Sequence, residues 1–289
     1  FNGNDAVGLF RNDLLVDLVG DPNSAENIIQ DKTLRRKNTV FFGNSTFDIN
    51  EWDEYEVDNV ENLGSHSTNP NAPVVTNIAY SPDFITSADE ITVSATITPV
   101  VGSIYSAKIY YGAPGSLINT AVMWNETGDT WMGNIPPQTG NSIIEFYIYC
   151  KDDQTPANSG KSATQTLIIA NSTPETIANI HTNIETLNGK MVTIRGIVTI
   201  GAGVLASGYT SAYIQDASGR GLNLYEYGKL YSDITRGDEL MVVGYVEKYN
   251  TTIEVTNFIY KKISSGNELP PAQVVTVAGA NSSDWEGTL

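Results

Sequence analysis

The feature that most constrains this chain is a strict two-residue period: Ile91, Val93, Ala95 and Ile97 alternate with Thr92, Ser94, Thr96 and Thr98. Side chains of an extended strand point to opposite faces in turn, so this stretch is a strand with one apolar and one threonine-rich face. The period returns at Ala107, Ile109 and Tyr111. It returns again at Ile144, Phe146, Ile148 and Cys150, with Glu145, Tyr147 and Tyr149 between them. TPVVGS, YGAPGS and NETGD separate the runs as turns, and no long helical period intervenes. Such patterning predicts an all-β fold, with about seven short strands over residues 70–171 forming a β-sandwich.

Charge narrows the partners. Thirty-three acidic against 16 basic residues give a net charge of −17, a field that repels nucleic acid and anionic membrane over most of the surface. The single cysteine excludes an intrachain disulfide and a cysteine-based zinc site. Its place on the apolar side of its run predicts a buried structural thiol rather than a reactive one. No stretch is long and apolar enough to span a membrane as a helix.

At 289 residues more than one domain is expected. SHSTNPNAP, residues 65–73, reads as a linker, and in ANSTPET the pair Thr173–Pro174 reads as the N-cap and first residue of a short helix. The expected divisions are therefore 1–69, 70–171, 172–270 and a remainder, 271–289, that looks like the start of a further segment cut short. In the third region Val192, Ile194, Gly196, Val198 and Ile200 share one strand face, with Gly196 where a bend or a close backbone approach is needed. A strand at 211–216 leads through DASGRG into 222–225. After a connector at 231–237, strands at 240–249 and 252–263 complete the order of a five-stranded OB-fold barrel.

Three resemblances follow these patterns. PVVTNIAYSPDFITSADEITVSATI and GDTWMGNIPPQTG followed by IIEFYIYCKDDQTPANSG resemble the immunoglobulin-like modules of secreted multidomain proteins of Bacteroidetes-type bacteria. NGKMVTIRGIVTIGAG, TSAYIQDASGRGLNLYEYG and RGDELMVVGYVEKYNTTIEV resemble OB-fold modules of secreted bacterial nucleases and related surface proteins. FNGNDAVGLFRNDLLVDLVGDP, DKTLRRK and FDINEWDEYEVDNVENLGSH, over residues 1–66, resemble the second half of bacterial lamin-tail domains, immunoglobulin-like sandwiches. That last likeness implies a domain truncated at its N-terminus, with Phe1 in its middle.

Few residues offer chemistry. His66 and His181 lie far apart, neither beside a nucleophile in a recognised arrangement, and HExxH is absent. GAGVLASG lacks both the GxGxxG interval and the lysine of a phosphate-binding loop. Asp152, Asp153 and Asn158 are oxygen ligands of the kind calcium prefers, but without EF-hand spacing a solvated loop is the favoured reading. EWDEYEVDNVE reads as a solvated acidic face with Trp52 packed inward. No catalytic residue, cofactor or firm metal site is assigned.

The binding candidates lie in the OB region. Tyr209, Tyr213, Tyr225, Tyr227 and Tyr249 offer stacking platforms for bases or sugars, with Arg195, Arg220 and Lys248 as neighbours able to follow phosphates. Exposed strands also favour tyrosine for its own sake. The basic cluster of DKTLRRKN sits in the most acidic third of the chain, where Arg35 and Arg36 are expected to hold carboxylates or carbonyls of their own domain.

The expected protein is a noncatalytic, extracellular or cell-surface chain of β modules. It would present or space those modules, with adhesion and polymer binding through the OB face among its roles. Polysaccharide, a surface protein, single-stranded nucleic acid and further domains of the same polypeptide are the expected partners. The rival is a nucleic-acid-binding accessory region of a secreted nuclease or phosphoesterase whose catalytic domain lies elsewhere.

Overall fold

A computed structural model describes residues 3–11, 14–38, 40, 43–61, 64, 69–280 and 285–289, which leaves His66 and the first part of the 65–73 linker, residues 65–68, outside the described residues. By compactness the chain divides into two units. Residues 1–79, 93–134 and 145–165 form one, and residues 80–92, 135–144 and 166–289 form the other.

The chain starts with two small antiparallel pairs, β1 (Val7–Arg11) with β2 (Leu14–Val19) and β3 (Lys32–Arg36) with β4 (Trp52–Glu56). Lys32, Arg35 and Arg36 of the basic cluster lie on β3 with Lys37 just after it, and each of the four has a partner. Arg36 reaches Asp17 at 2.7 Å and Glu51 at 3.5 Å while its guanidinium lies 4.5 Å above the Trp52 ring. Arg35 donates to Asn59 at 3.2 Å and to the Glu61 carbonyl, and lies 4.3 Å above the Tyr55 ring. Lys32 pairs with Glu54 at 2.6 Å, and Lys37 donates to the Asn50 carbonyl at 2.9 Å.

The strands that follow are β5 (Val74–Ser81), β6 (Ile85–Thr86), β7 (Ile91–Thr98), β8 (Ile104–Ala113), β9 (Ser116–Thr127), β10 (Thr130–Ile135), β11 (Ser142–Asp152), β12 (Ser159–Lys161) and β13 (Gln165–Ala170). In the first unit they run β5-β7-β10-β9-β8-β11, with β12 pairing β11. Alternation in sequence becomes alternation in burial. Val93, Ala95, Ile97, Ala107, Ile109, Phe146 and Ile148 are buried, and the residues between them face outward. Cys150 is among the buried set, its thiol donating to the Gly160 carbonyl at 3.6 Å. Burial pushes this thiol up to about 11, out of the reactive range.

In the second unit β6 pairs in parallel with β13. Two short helices, α1 (Ile177–Thr182) and α2 (Ile184–Leu187), then lead into β14 (Met191–Ile200), β15 (Thr210–Gln215), β16 (Gly221–Glu226), β17 (Glu239–Tyr249) and β18 (Thr252–Ser264), with a last turn of helix, α3 (Val277–Ala280), beyond. Thr176, not Thr173, caps α1, its hydroxyl accepting from the Asn179 amide at 3.2 Å. The turn after β15 assists: Asp216 accepts from the Ile177 amide at 2.8 Å, placing a carboxylate on the positive end of the helix.

The five strands close in the order β14-β15-β16-β18-β17, antiparallel except for β16 against β18. That is the connectivity of the OB-fold. Ile194, Val198, Ala212, Ile214, Leu222, Leu224, Val242, Val246, Val255 and Phe258 fill the interior, with Ile177 and Ile180 of α1 among them. Each fully buried aliphatic contributes roughly 2 kcal/mol, so truncating Ile194 or Ile214 to alanine would remove that and leave a void. Gly196 lets β14 approach β15: a Cβ there would stand 2.6 Å from the Gln215 carbonyl oxygen. The chain is thus an all-β protein with a closed five-stranded barrel. Among the described residues no helix is long and apolar enough to cross a membrane.

Candidate binding face of the barrel

Because Ala212, Ile214, Leu222, Leu224 and Val255 point inward, strand parity turns Ser211, Tyr213, Asn223, Tyr225 and Glu254 outward on adjoining strands. The register sets Ser211 opposite Tyr225, Tyr213 opposite Asn223, and Asn223 beside Glu254. On β17, Glu247 faces Glu254 directly, and Tyr249 lies two residues further along at the strand end.

The end of this face is held by Thr210. Its fully buried hydroxyl donates to the Lys229 carbonyl at 2.8 Å and accepts from the Tyr231 amide at 2.9 Å, fixing the connector after β16 against the start of β15. Tyr209 therefore meets Tyr225 edge to face, centroids 5.5 Å apart. Tyr227 is 82% and Tyr249 69% exposed. The Tyr225 phenol titrates above its ordinary value, first through desolvation and then through the fields of Tyr209, Glu254, Tyr227 and Tyr249. Glu254 is also raised, by burial and by Glu247 across the ladder.

The structure thus gathers Tyr209, Tyr225, Tyr227 and Tyr249, with Tyr213 one register step away. The basic candidates are engaged elsewhere. Arg195 donates through Nε to Glu239 at 2.9 Å and lines a groove of about 630 Å³ that also holds Glu175, Asp216 and Glu268. Arg220 donates to His181 Nδ1 at 3.1 Å and lies 5.3 Å from the Trp285 ring centre. His181 Nε2 in turn sits 2.9 Å from the Gly221 carbonyl, which makes Nε2 the protonated nitrogen. Lys248 pairs with Glu185 at 2.8 Å. What the sequence reading missed is acidic: Glu247 and Glu254 share the tyrosine face. Counting parity outward from Ile253 and Val255 would have placed Glu254 there.

The loop with Asp152, Asp153 and Asn158 directs its carboxylates at N–H groups. Asp152 accepts from the Gln154 amide at 3.2 Å and from the Asn158 amide and side chain at 2.7 and 2.6 Å. Asp153 accepts from the Ser103 amide at 3.1 Å and hydroxyl at 3.0 Å. A cation would have to displace these donors. No group of three or more His, Cys, Asp or Glu side chains able to hold a metal occurs among the described residues.

By fold, then, this is an all-β protein whose closed barrel turns an aromatic and acidic strip outward. No protein-family model and no curated protein matches the chain. A solved structure of an engineered protein, a Northeast Structural Genomics Consortium target, is 18% identical over 36% of this chain. The match spans only 21% of that chain, at a TM-score of 0.27.

Proposed function

We infer that this chain is a noncatalytic, extracellular string of β modules that binds a neutral polysaccharide through the tyrosine face of its barrel. The modules are a partial lamin-tail domain, an immunoglobulin-like sandwich and the OB-type barrel. The observation that carries the ligand class is the company the tyrosines keep. Tyr209, Tyr225, Tyr227 and Tyr249 adjoin Glu254, while Arg195 and Lys248 are held in ion pairs with Glu239 and Glu185. Aromatic rings stack on the C–H faces of sugars without needing a positive field, whereas a nucleic-acid strand needs cations along its phosphates.

The test is affinity electrophoresis in gels holding neutral glucans, mannans or galactans, comparing the protein with Tyr225→Ala/Tyr227→Ala. Loss of two stacking rings is expected to weaken binding about tenfold or more. If single-stranded DNA binds instead, with affinity falling as salt rises and lost in the same variant, the nuclease-accessory reading replaces this one.

A further inference from the structure

We propose a second binding surface, for a carboxylated glycan, on the outward face of β12-β11-β8-β9. Residues 70–171 contain three basic residues, Lys108, Lys151 and Lys161, and all three lie exposed on this one face. In a chain of net charge −17 this collects positive charge where the sequence is otherwise acidic. Among the described residues none of the three forms an ion pair.

Strand register sets their spacing. Lys161 of β12 and Lys108 of β8 both stand directly opposite Tyr149 of β11, one on each side. Two interstrand steps separate their backbones by about 10 Å, and Lys151 follows Tyr149 by about 7 Å along the strand. Two of the three ammonium groups lie over rings. Lys161 Nζ lies 4.0 Å from the Tyr147 centroid and Lys151 Nζ 5.9 Å from that of Tyr149. Next to Lys108, Val122 of β9 is 71% exposed, and beyond it Trp124 is 44% exposed, its indole donating to Glu126 at 3.1 Å.

Charge complementarity calls for a polyanion, and the ring geometry selects its kind. Tyr147 stacks on Tyr110 at 5.1 Å and 9° on the β8 side and carries Lys161 on the β12 side. Both faces of that ring are taken, so a nucleobase cannot slide onto it. What faces outward is a triangle of point charges with phenol hydroxyls between them and an apolar border, which suits uronate carboxylates, sugar hydroxyls and sugar C–H faces. Of the glutamates on this face, Glu145 turns to the Gly115 amide at 3.1 Å, and Glu126 accepts from the Trp124 indole.

The experiment measures binding of polygalacturonate, dextran and an oligothymidylate by the full chain at low and high salt. It is repeated on Lys108→Gln/Lys151→Gln/Lys161→Gln and, separately, on Tyr225→Ala/Tyr227→Ala. Polygalacturonate is expected to bind at low salt and weaken as salt rises. Affinity should fall at least about tenfold in the lysine variant, the sum of three exposed ionic contacts. It should be unchanged in the barrel variant, which separates this surface from the one proposed above. Equal binding by the lysine variant with an unchanged far-ultraviolet spectrum overturns the proposal, as does dextran binding that falls in the lysine variant as much as polygalacturonate binding does. Tighter binding of the oligothymidylate, lost in the lysine variant, overturns the ligand class.

Discussion

Replacing Asp238 by asparagine should weaken the barrel by an amount that vanishes in acid. Asp238 is 1% exposed at the entry to β17. It accepts from the Thr235 amide at 2.8 Å, the Thr235 hydroxyl at 2.9 Å and Lys262 Nζ at 2.8 Å. Burial alone would raise its pKa; Lys262 first, then the Ser265 side chain and Thr235, more than reverse that and bring the carboxyl from 3.8 down to about 2. A depression of nearly two units corresponds to roughly 2–3 kcal/mol, and screening of the partly exposed Lys262 brings this to about 2 kcal/mol. Since the folded value lies below the unfolded one, this stabilisation is complete above about pH 4 and disappears as pH falls toward 2. Urea unfolding of the full chain, read by hydrogen exchange in β17 and β18 peptides, isolates the barrel's transition. Asp238→Asn should lie about 2 kcal/mol below the parent at neutral pH and converge with it near pH 2. A gap that stays constant through that window would refute the reasoning, because it would assign the loss to amide packing rather than to the ionised carboxylate.

Three further outcomes are expected. His181 is held below its ordinary pKa of 6.5, first by desolvation and against the Gly221 hydrogen bond. Stability should therefore fall as pH drops below about 6.5, and His181→Gln should remove that slope in thermal melts. The Cys150 thiol should resist an aromatic disulfide reagent at mildly alkaline pH until urea unfolds the first unit, whereas labelling at a rate near that of free cysteine would contradict its burial. Arg36→Met should destabilise the front pairs by about 2 kcal/mol, seen as faster proteolysis there. Lysine at this position should recover less than half, since it cannot span Asp17 and Glu51 while lying over Trp52.

Strands with one buried face were legible because burial writes itself into sequence as alternation: residues 91–98 and 144–150 show it, and the five barrel segments appeared in order for the same reason. Strand β9 left no such mark. Of its twelve residues Met123 is buried while Ile118 and Val122 face outward, so its apolar residues do not alternate with burial. The tyrosines of the barrel could be named from sequence, but not the company of each charge. Lys248 reads as a neighbour of Tyr249, yet it pairs with Glu185, a residue 63 positions away. Side-chain partners are chosen by the closed barrel, and nothing local in the sequence encodes them. The three lysines of the middle region were overlooked for a related reason: they share a face only once the register of β12, β11 and β8 is known.

Closure of the barrel also dictates an order of events at the ribosome. Strand β18 closes the ring between β16 and β17, pairing with both, so the ring stays open until residues 252–264 have left the exit tunnel. At roughly 5–20 residues per second, the segment from β14 to β17 waits several seconds with the inward faces of its strands uncovered. Chaperones that hold nascent chains would act within that interval, and a translational pause just before residue 252 would lengthen it.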